Sequence, residues 1–99
     1  MKRIGETLRE LRENRHLPLR TVAAYLDIDQ AILSRIERGQ RKASRAHIIK
    51  LSKFFNVDVN ELLVAWLSDK VIYALADEDM AMDALKVAEE QIKYLITRK

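Results

Sequence analysis

The 99-residue chain has no cysteine, two glycines and one proline. Without cysteine there is no disulfide and no thiolate metal site, and a reducing, cytoplasmic setting is expected. So little glycine and proline leaves a many-turned β fold poorly supplied. Trp66, Tyr73 and Tyr94 are too sparse for a base-stacking platform. No uncharged run approaches the roughly 20 residues of a membrane span. The opening MKRIGETLRE has no apolar run after its charges, so neither a signal peptide nor membrane attachment is expected. His16 and His47 are the only histidines. With no H-E-x-x-H spacing beside them, no metal site is expected, and His47 reads as a surface or DNA-proximal residue. No nucleophile–base pair and no phosphate-binding glycine loop is present, and one small core encloses no large cleft. The reading is therefore of a protein that is not an enzyme and takes no cofactor.

What is present is a chain that is 48% hydrophobic, enough to argue against disorder, with its charge divided unevenly. Residues 1–57 hold thirteen Lys or Arg against six Asp or Glu, a net +7, and residues 58–99 hold five against nine, a net −4. A basic front half and an acidic back half describe one end that meets a polyanion and one that does not.

The apolar residues recur at helical spacing almost throughout, so the expected fold is all-α. Ile4, Leu8 and Leu11 line one face of a first helix over residues 4–15. Pro18 breaks the chain before a short second helix over residues 19–26, with Val22, Ala23 and Leu26 inward. Asp27 sits where a turn needs positive φ, Ile28 plugs that turn into the core, and Asp29 caps a third helix. Leu33 and Ile36 face inward there, leaving Gln30, Ala31, Ser34, Arg35 and Arg38 outward, and Gly39 ends the helix. Two helices around a tight turn, the second with a polar outer row, make a helix-turn-helix, whose second helix suits a DNA major groove.

Ser44 caps a fourth helix carrying Ile48, Leu51 and Phe55. Asp58 with Glu61 forms a capping-box pattern for a fifth. Leu62, Leu63, Trp66 and Leu67 follow at helical spacing. Ser68-Asp69 leaves two alternatives, a helix that stops near Leu67 or one that continues to Ala76. Asp77-Glu78-Asp79 lacks the twelve-residue calcium-loop pattern and reads as negative charge at the start of a last helix over residues 78–97. On it Ala81, Leu85, Ala88, Ile92 and Leu95 step by four, three, four and three, a seam of coiled-coil type.

Residues Leu17, Val22-Ala23, Asp27-Ile28 and Leu33-Ser34-Arg35-Ile36-Glu37-Arg38-Gly39 resemble the helix-turn-helix of the xenobiotic-response-element family, which includes the phage repressor and Cro proteins. The likeness reaches back to Ile4-Gly5 and Leu11-Arg12, and forward through Phe55-Asn56-Val57 to Glu61-Leu62. It implies a five-helix, lambda-repressor-like DNA-binding domain over residues 1–67 and a C-terminal helical extension over residues 68–99. By position, the base-reading residues implied are Gln30, Ala31, Ser34 and Arg35. The phosphate-binding residues implied are Arg38, Arg41, Lys42 and Arg45. The family's usual Gln and Ser or Thr at the start of the second helix are replaced by Leu19 and Pro18, with Arg20 next to them to take the phosphate. The family also pairs an arginine of the first helix with a glutamate of the third, here Arg12 with Glu37. The extension looks like the dimerisation segment of short regulators, including those found beside DNA methyltransferase genes. Its interface would be Ala81, Leu85, Ala88, Ile92 and Leu95.

The expected partners are double-stranded DNA, as an inverted-repeat operator, and a second copy of the chain, in a transcription regulator that represses. The alternative is the antitoxin of a toxin–antitoxin pair, with the last helix gripping a partner protein.

Overall fold

Four of the helix ends and three of the helix starts are set by local hydrogen bonds of the backbone and of capping side chains. A computed structural model describes residues 2–98. They form α1 (Ile4–Asn14), α2 (Leu19–Leu26), α3 (Gln30–Glu37), α4 (Arg45–Phe55), α5 (Val59–Leu75) and α6 (Ala81–Thr97), with no strand among the described residues.

Each of the first four helices stops at a single residue in the left-handed region: His16 (φ 56°), Asp27 (φ 58°), Gly39 (φ 75°) and Asn56 (φ 54°). In each case two N–H groups turn back onto the last helical carbonyls. Leu17 N–H bonds to Arg12 O, Ile28 to Ala23 O, Gln40 to Arg35 O and Val57 to Ser52 O. This is the Schellman arrangement, which is completed by an apolar residue after the left-handed one. Leu17, Ile28 and Val57 fill that role and pack against the core. Three of the four stops therefore use His, Asp or Asn, residues that tolerate positive φ, which is how a chain with two glycines makes so many tight turns.

The N-termini are set as locally. Asp29 accepts from Ala31 N–H at 3.2 Å, Ser44 from His47 N–H at 3.1 Å, and Asp58 from Asn60 N–H at 2.7 Å. Each bond satisfies one of the donors that a helix start leaves without a partner.

Residues up to Asp69 form one compact unit and those from Lys70 form another. In the first unit α3 packs on α1 and α2, and α2 packs on α4. Its core gathers Leu8, Val22, Leu33, Ile48, Leu51 and Phe55, all fully buried. Burial of side chains of this size contributes about 1.5–3 kcal/mol each before the entropy of ordering them is subtracted. Ala23 is buried on the inner face of α2. Gly5 lets α1 approach α3 closely, because a Cβ there would lie 2.6 Å from both the Ile36 and Glu37 carbonyl oxygens.

Of the two alternatives left at Ser68-Asp69, the helix that continues is the one observed, and α5 ends at Leu75. A contact far away in sequence stabilises that stretch, since Arg3 Nε donates to the Asp69 carboxylate at 2.5 Å. That hydrogen bond raises the Arg3 guanidinium pKa above its ordinary value.

Two expectations need correction. The last helix begins at Ala81 rather than Glu78. Glu78 N–H bonds to Leu75 O and Ala81 N–H to Glu78 O, so this stretch closes turns before the helix starts. Asp77, Glu78 and Asp79 thus precede the helix, and the acid in its first turn is Asp83. Of the two readings of His47, that of an exposed surface residue does not hold. It is half-buried in the first turn of α4, and its Nδ1 is enclosed without a hydrogen-bond partner among the described residues.

In the second unit no residue of α6 is buried. Leu85, Ile92 and Leu95 are 39%, 55% and 56% exposed, which leaves the apolar row uncovered along the chain's own helix.

Candidate nucleic-acid interface

The recognition surface is built outward from two buried anchors. Leu33 and Ile36 hold α3 against the core, so the 3.6-residue repeat turns the opposite row outward. Gln30, Ala31, Arg35 and Arg38 are exposed on that row, and Ser34 is half-buried at its edge. Arg38 Nε bonds back to Ser34 O at 3.3 Å.

One flank of α3 is fixed by a buried ion pair. Arg12 on α1 donates from Nε and a terminal nitrogen to both carboxylate oxygens of Glu37, at 2.8 and 2.9 Å. Its remaining terminal nitrogen donates to Leu17 O at 2.8 Å. The side chains are 12% and 5% exposed. The planar fork matches the carboxylate, and the third bond ties in the chain entering α2. The hydrogen bond to Glu37 raises the Arg12 pKa above the ordinary value against an opposing effect of burial, so the guanidinium stays charged. One side chain thereby locks the relative positions of α1, the α2 approach and the end of α3. A carboxylate with both oxygens engaged in this way is a structural group rather than a general base.

The basic residues expected at phosphate fall around α3. Arg20 is exposed in the first turn of α2, and Arg41 and Lys42 are exposed in the loop between α3 and α4. That loop is pinned from below by Trp66, whose indole N–H donates to Ala43 O at 2.8 Å in a buried contact. Arg45 stands over the Trp66 ring at 5.2 Å, so part of its surface is spent on the indole face.

Two residues carry roles that helical spacing alone does not reveal. Arg15 donates to the Phe54 and Phe55 carbonyls, capping the end of α4, and lies 5.3 Å from the Phe55 ring. Arg9 lines an open depression of about 280 Å³ with Arg12, Ser34, Glu37 and Arg38. Only the basic character of the first helix hints at either.

Among the described residues no three His, Cys, Asp or Glu side chains come together as a metal set, and no helix is long and apolar enough to cross a membrane. A helix held rigidly at its back, polar and basic in front, and flanked by arginines is the arrangement of a helix-turn-helix DNA reader.

Comparison with known proteins gives the same class. Residues 8–62 match the Helix-turn-helix family. The chain belongs to that family, in its xenobiotic-response-element branch. It is similar to the uncharacterised HTH-type transcriptional regulator RghRB of Bacillus subtilis (strain 168), with 38% identity over 66 residues. That match takes in 66% of this chain and 48% of RghRB, so the chain spans about half the length of this curated relative. Among solved structures it is similar to the restriction-modification controller protein C.AhdI from Aeromonas hydrophila. There the identity is 36% and the TM-score 0.54, over 60% of this chain and 89% of the controller.

Proposed function

We propose that this protein is a sequence-specific regulator of transcription that binds double-stranded DNA as a homodimer and represses by occupying promoter DNA in the cytoplasm. The observation that carries the reading is the outward row of α3, Gln30, Ala31, Arg35 and Arg38, on a helix whose inner side is held by Leu33 and Ile36 and whose flank is fixed by the Arg12–Glu37 pair. Membership of the Helix-turn-helix family and likeness to a transcriptional regulator and a restriction-modification controller support it.

In this reading α3 lies in the major groove. Gln30 takes adenine N6 and N7, Arg35 takes guanine O6 and N7, and the Ala31 methyl meets a thymine methyl. Ser34 lies at the edge of the contact. Arg20, Arg38, Arg41, Lys42 and Arg45 hold phosphates and set register without reading sequence.

The uncovered row of Ala81, Leu85, Ala88, Ile92 and Leu95 pairs with the same row of a second copy. Two α3 helices then meet the duplex about one helical turn, ~34 Å, apart, which requires an inverted-repeat operator.

The test is a binding-site selection with wild type and Arg35→Ala. The variant is expected to lose about 1–3 kcal/mol and relax preference at one base pair per half-site. An unchanged selected sequence removes Arg35 from base reading. A full-length chain that sediments as a monomer removes the homodimer, and the α6 row then belongs to a different protein partner.

A further inference from the structure

The depression between α1 and α3 has a composition the core does not explain. Its five lining residues, Arg9, Arg12, Ser34, Glu37 and Arg38, are all polar or charged, and its volume is about 280 Å³. That is below the roughly 300–1,000 Å³ of typical small-molecule pockets, which are mostly apolar, so an organic ligand does not suit it.

The charge balance favours an anion. Glu37 is the only acid in the lining, and both its oxygens are taken by Arg12. Arg9 and Arg38 therefore remain as positive charges with N–H groups to offer. Arg9 pairs with Glu13 at 3.4 Å, in an exposed pair of the kind worth little in water. Arg38 has one weak bond, to a carbonyl of its own helix. The Ser34 hydroxyl adds a neutral donor.

Position then selects the anion. Ser34 and Arg38 border the depression and also belong to the row that α3 turns outward. A group seated there lies beside whatever α3 enters, which on the reading above is a DNA groove walled by phosphates.

We infer that this depression is a seat for one backbone phosphodiester of the bound duplex, and that Arg9 of α1 is a DNA-binding residue acting there together with Arg38. Arg9 clamps the phosphate from the side of α1 while Arg38 clamps it from α3. The seat adds affinity and fixes the insertion angle of α3, with no preference for sequence. The inference rests on the DNA-binding reading.

The experiment measures duplex affinity against salt concentration for wild type, Arg9→Ala, Arg9→Lys and Lys93→Ala, on a selected duplex and a scrambled one. Thermal unfolding checks that each variant folds. Arg9→Ala is expected to weaken both duplexes by the same factor and to lower the salt slope of the dimer by about 1.8, the share of two phosphates, one in each half-site. Its deficit against wild type then shrinks about twelvefold between 50 and 200 mM salt. Arg9→Lys is expected to keep the wild-type slope. Lys93→Ala removes one positive charge from α6 and is expected to leave the slope unchanged.

A folded Arg9→Ala variant with the wild-type slope overturns the seat while leaving DNA binding intact. Equal slope losses in Arg9→Ala and Lys93→Ala also overturn it, since net charge alone then accounts for the effect. A wild-type chain that binds neither duplex sinks the DNA reading itself, and this inference with it.

Discussion

Replacing Arg12 by alanine tests how the recognition helix is held. The change deletes two charge-assisted bonds to Glu37 and one to Leu17 O. It leaves a carboxylate whose side chain is only 5% exposed without a counter-charge. With so little of the carboxylate exposed, the cost should follow buried pairs, about 3–5 kcal/mol, rather than surface pairs, about 0–1 kcal/mol. Against a total of roughly 5–15 kcal/mol for a domain, this is a large fraction. At about 4–8 °C per kcal/mol for a domain of this size, the midpoint of thermal unfolding should fall by at least about 12 °C. Urea titration of wild type, Arg12→Ala, Glu37→Ala and the double variant closes a cycle that isolates the coupling between the two residues. Arg12→Met combined with Glu37→Met should recover much of the loss, because it removes the orphaned charge and refills the volume. A loss below about 1 kcal/mol for Arg12→Ala refutes the reasoning, since the pair would then behave like an exposed one.

Other consequences can be checked by the same methods. Gly5→Ala should cost about 1–3 kcal/mol in urea unfolding, because the new methyl meets two α3 backbone carbonyls that cannot yield without α1 moving; a neutral result means the helices separate freely. Trp66→Phe keeps the ring but leaves the Ala43 carbonyl without its buried donor, which should cost about 1–3 kcal/mol and also weaken DNA binding through the loop bearing Arg41 and Lys42. Removing residues 79–99 should convert a dimer to a monomer in sedimentation and weaken binding to an inverted repeat far more than to a half-site. A truncated chain that still sediments as a dimer places the interface elsewhere.

The parts of this fold legible from sequence are those decided within four or five residues. Asp27 before Ile28, Asn56 before Val57, and Asp29 and Ser44 ahead of apolar periods mark helix ends because the chemistry of a cap is local. The inward positions of α3 follow as directly, since Leu33 and Ile36 leave only one row outside. Of the decisions made across the chain, the Arg12–Glu37 pair was legible through the family resemblance alone, and others were not legible at all. Ser68-Asp69 resembles a break, but Asp69 is held by Arg3, 66 positions away. The apolar residues of α5 surround the helix, so no periodic face marks its length. The acidic stretch before α6 suits a helix start electrostatically, yet turn bonds use its backbone first. Gly5, Arg15 and Arg9 gain their roles from partners on other helices, and one sequence carries no trace of such pairings.

The central claim is that α3 reads a particular duplex. Fluorescence anisotropy on the DNA upstream of the protein's own coding sequence, with a scrambled duplex of equal length as control and at two salt concentrations, tests it most directly. Tight binding to the native duplex is expected, with weaker binding to the scrambled one that falls more steeply with salt. Equal binding to both, with the same steep salt dependence, would contradict it, since the basic surface would then hold phosphate without reading sequence.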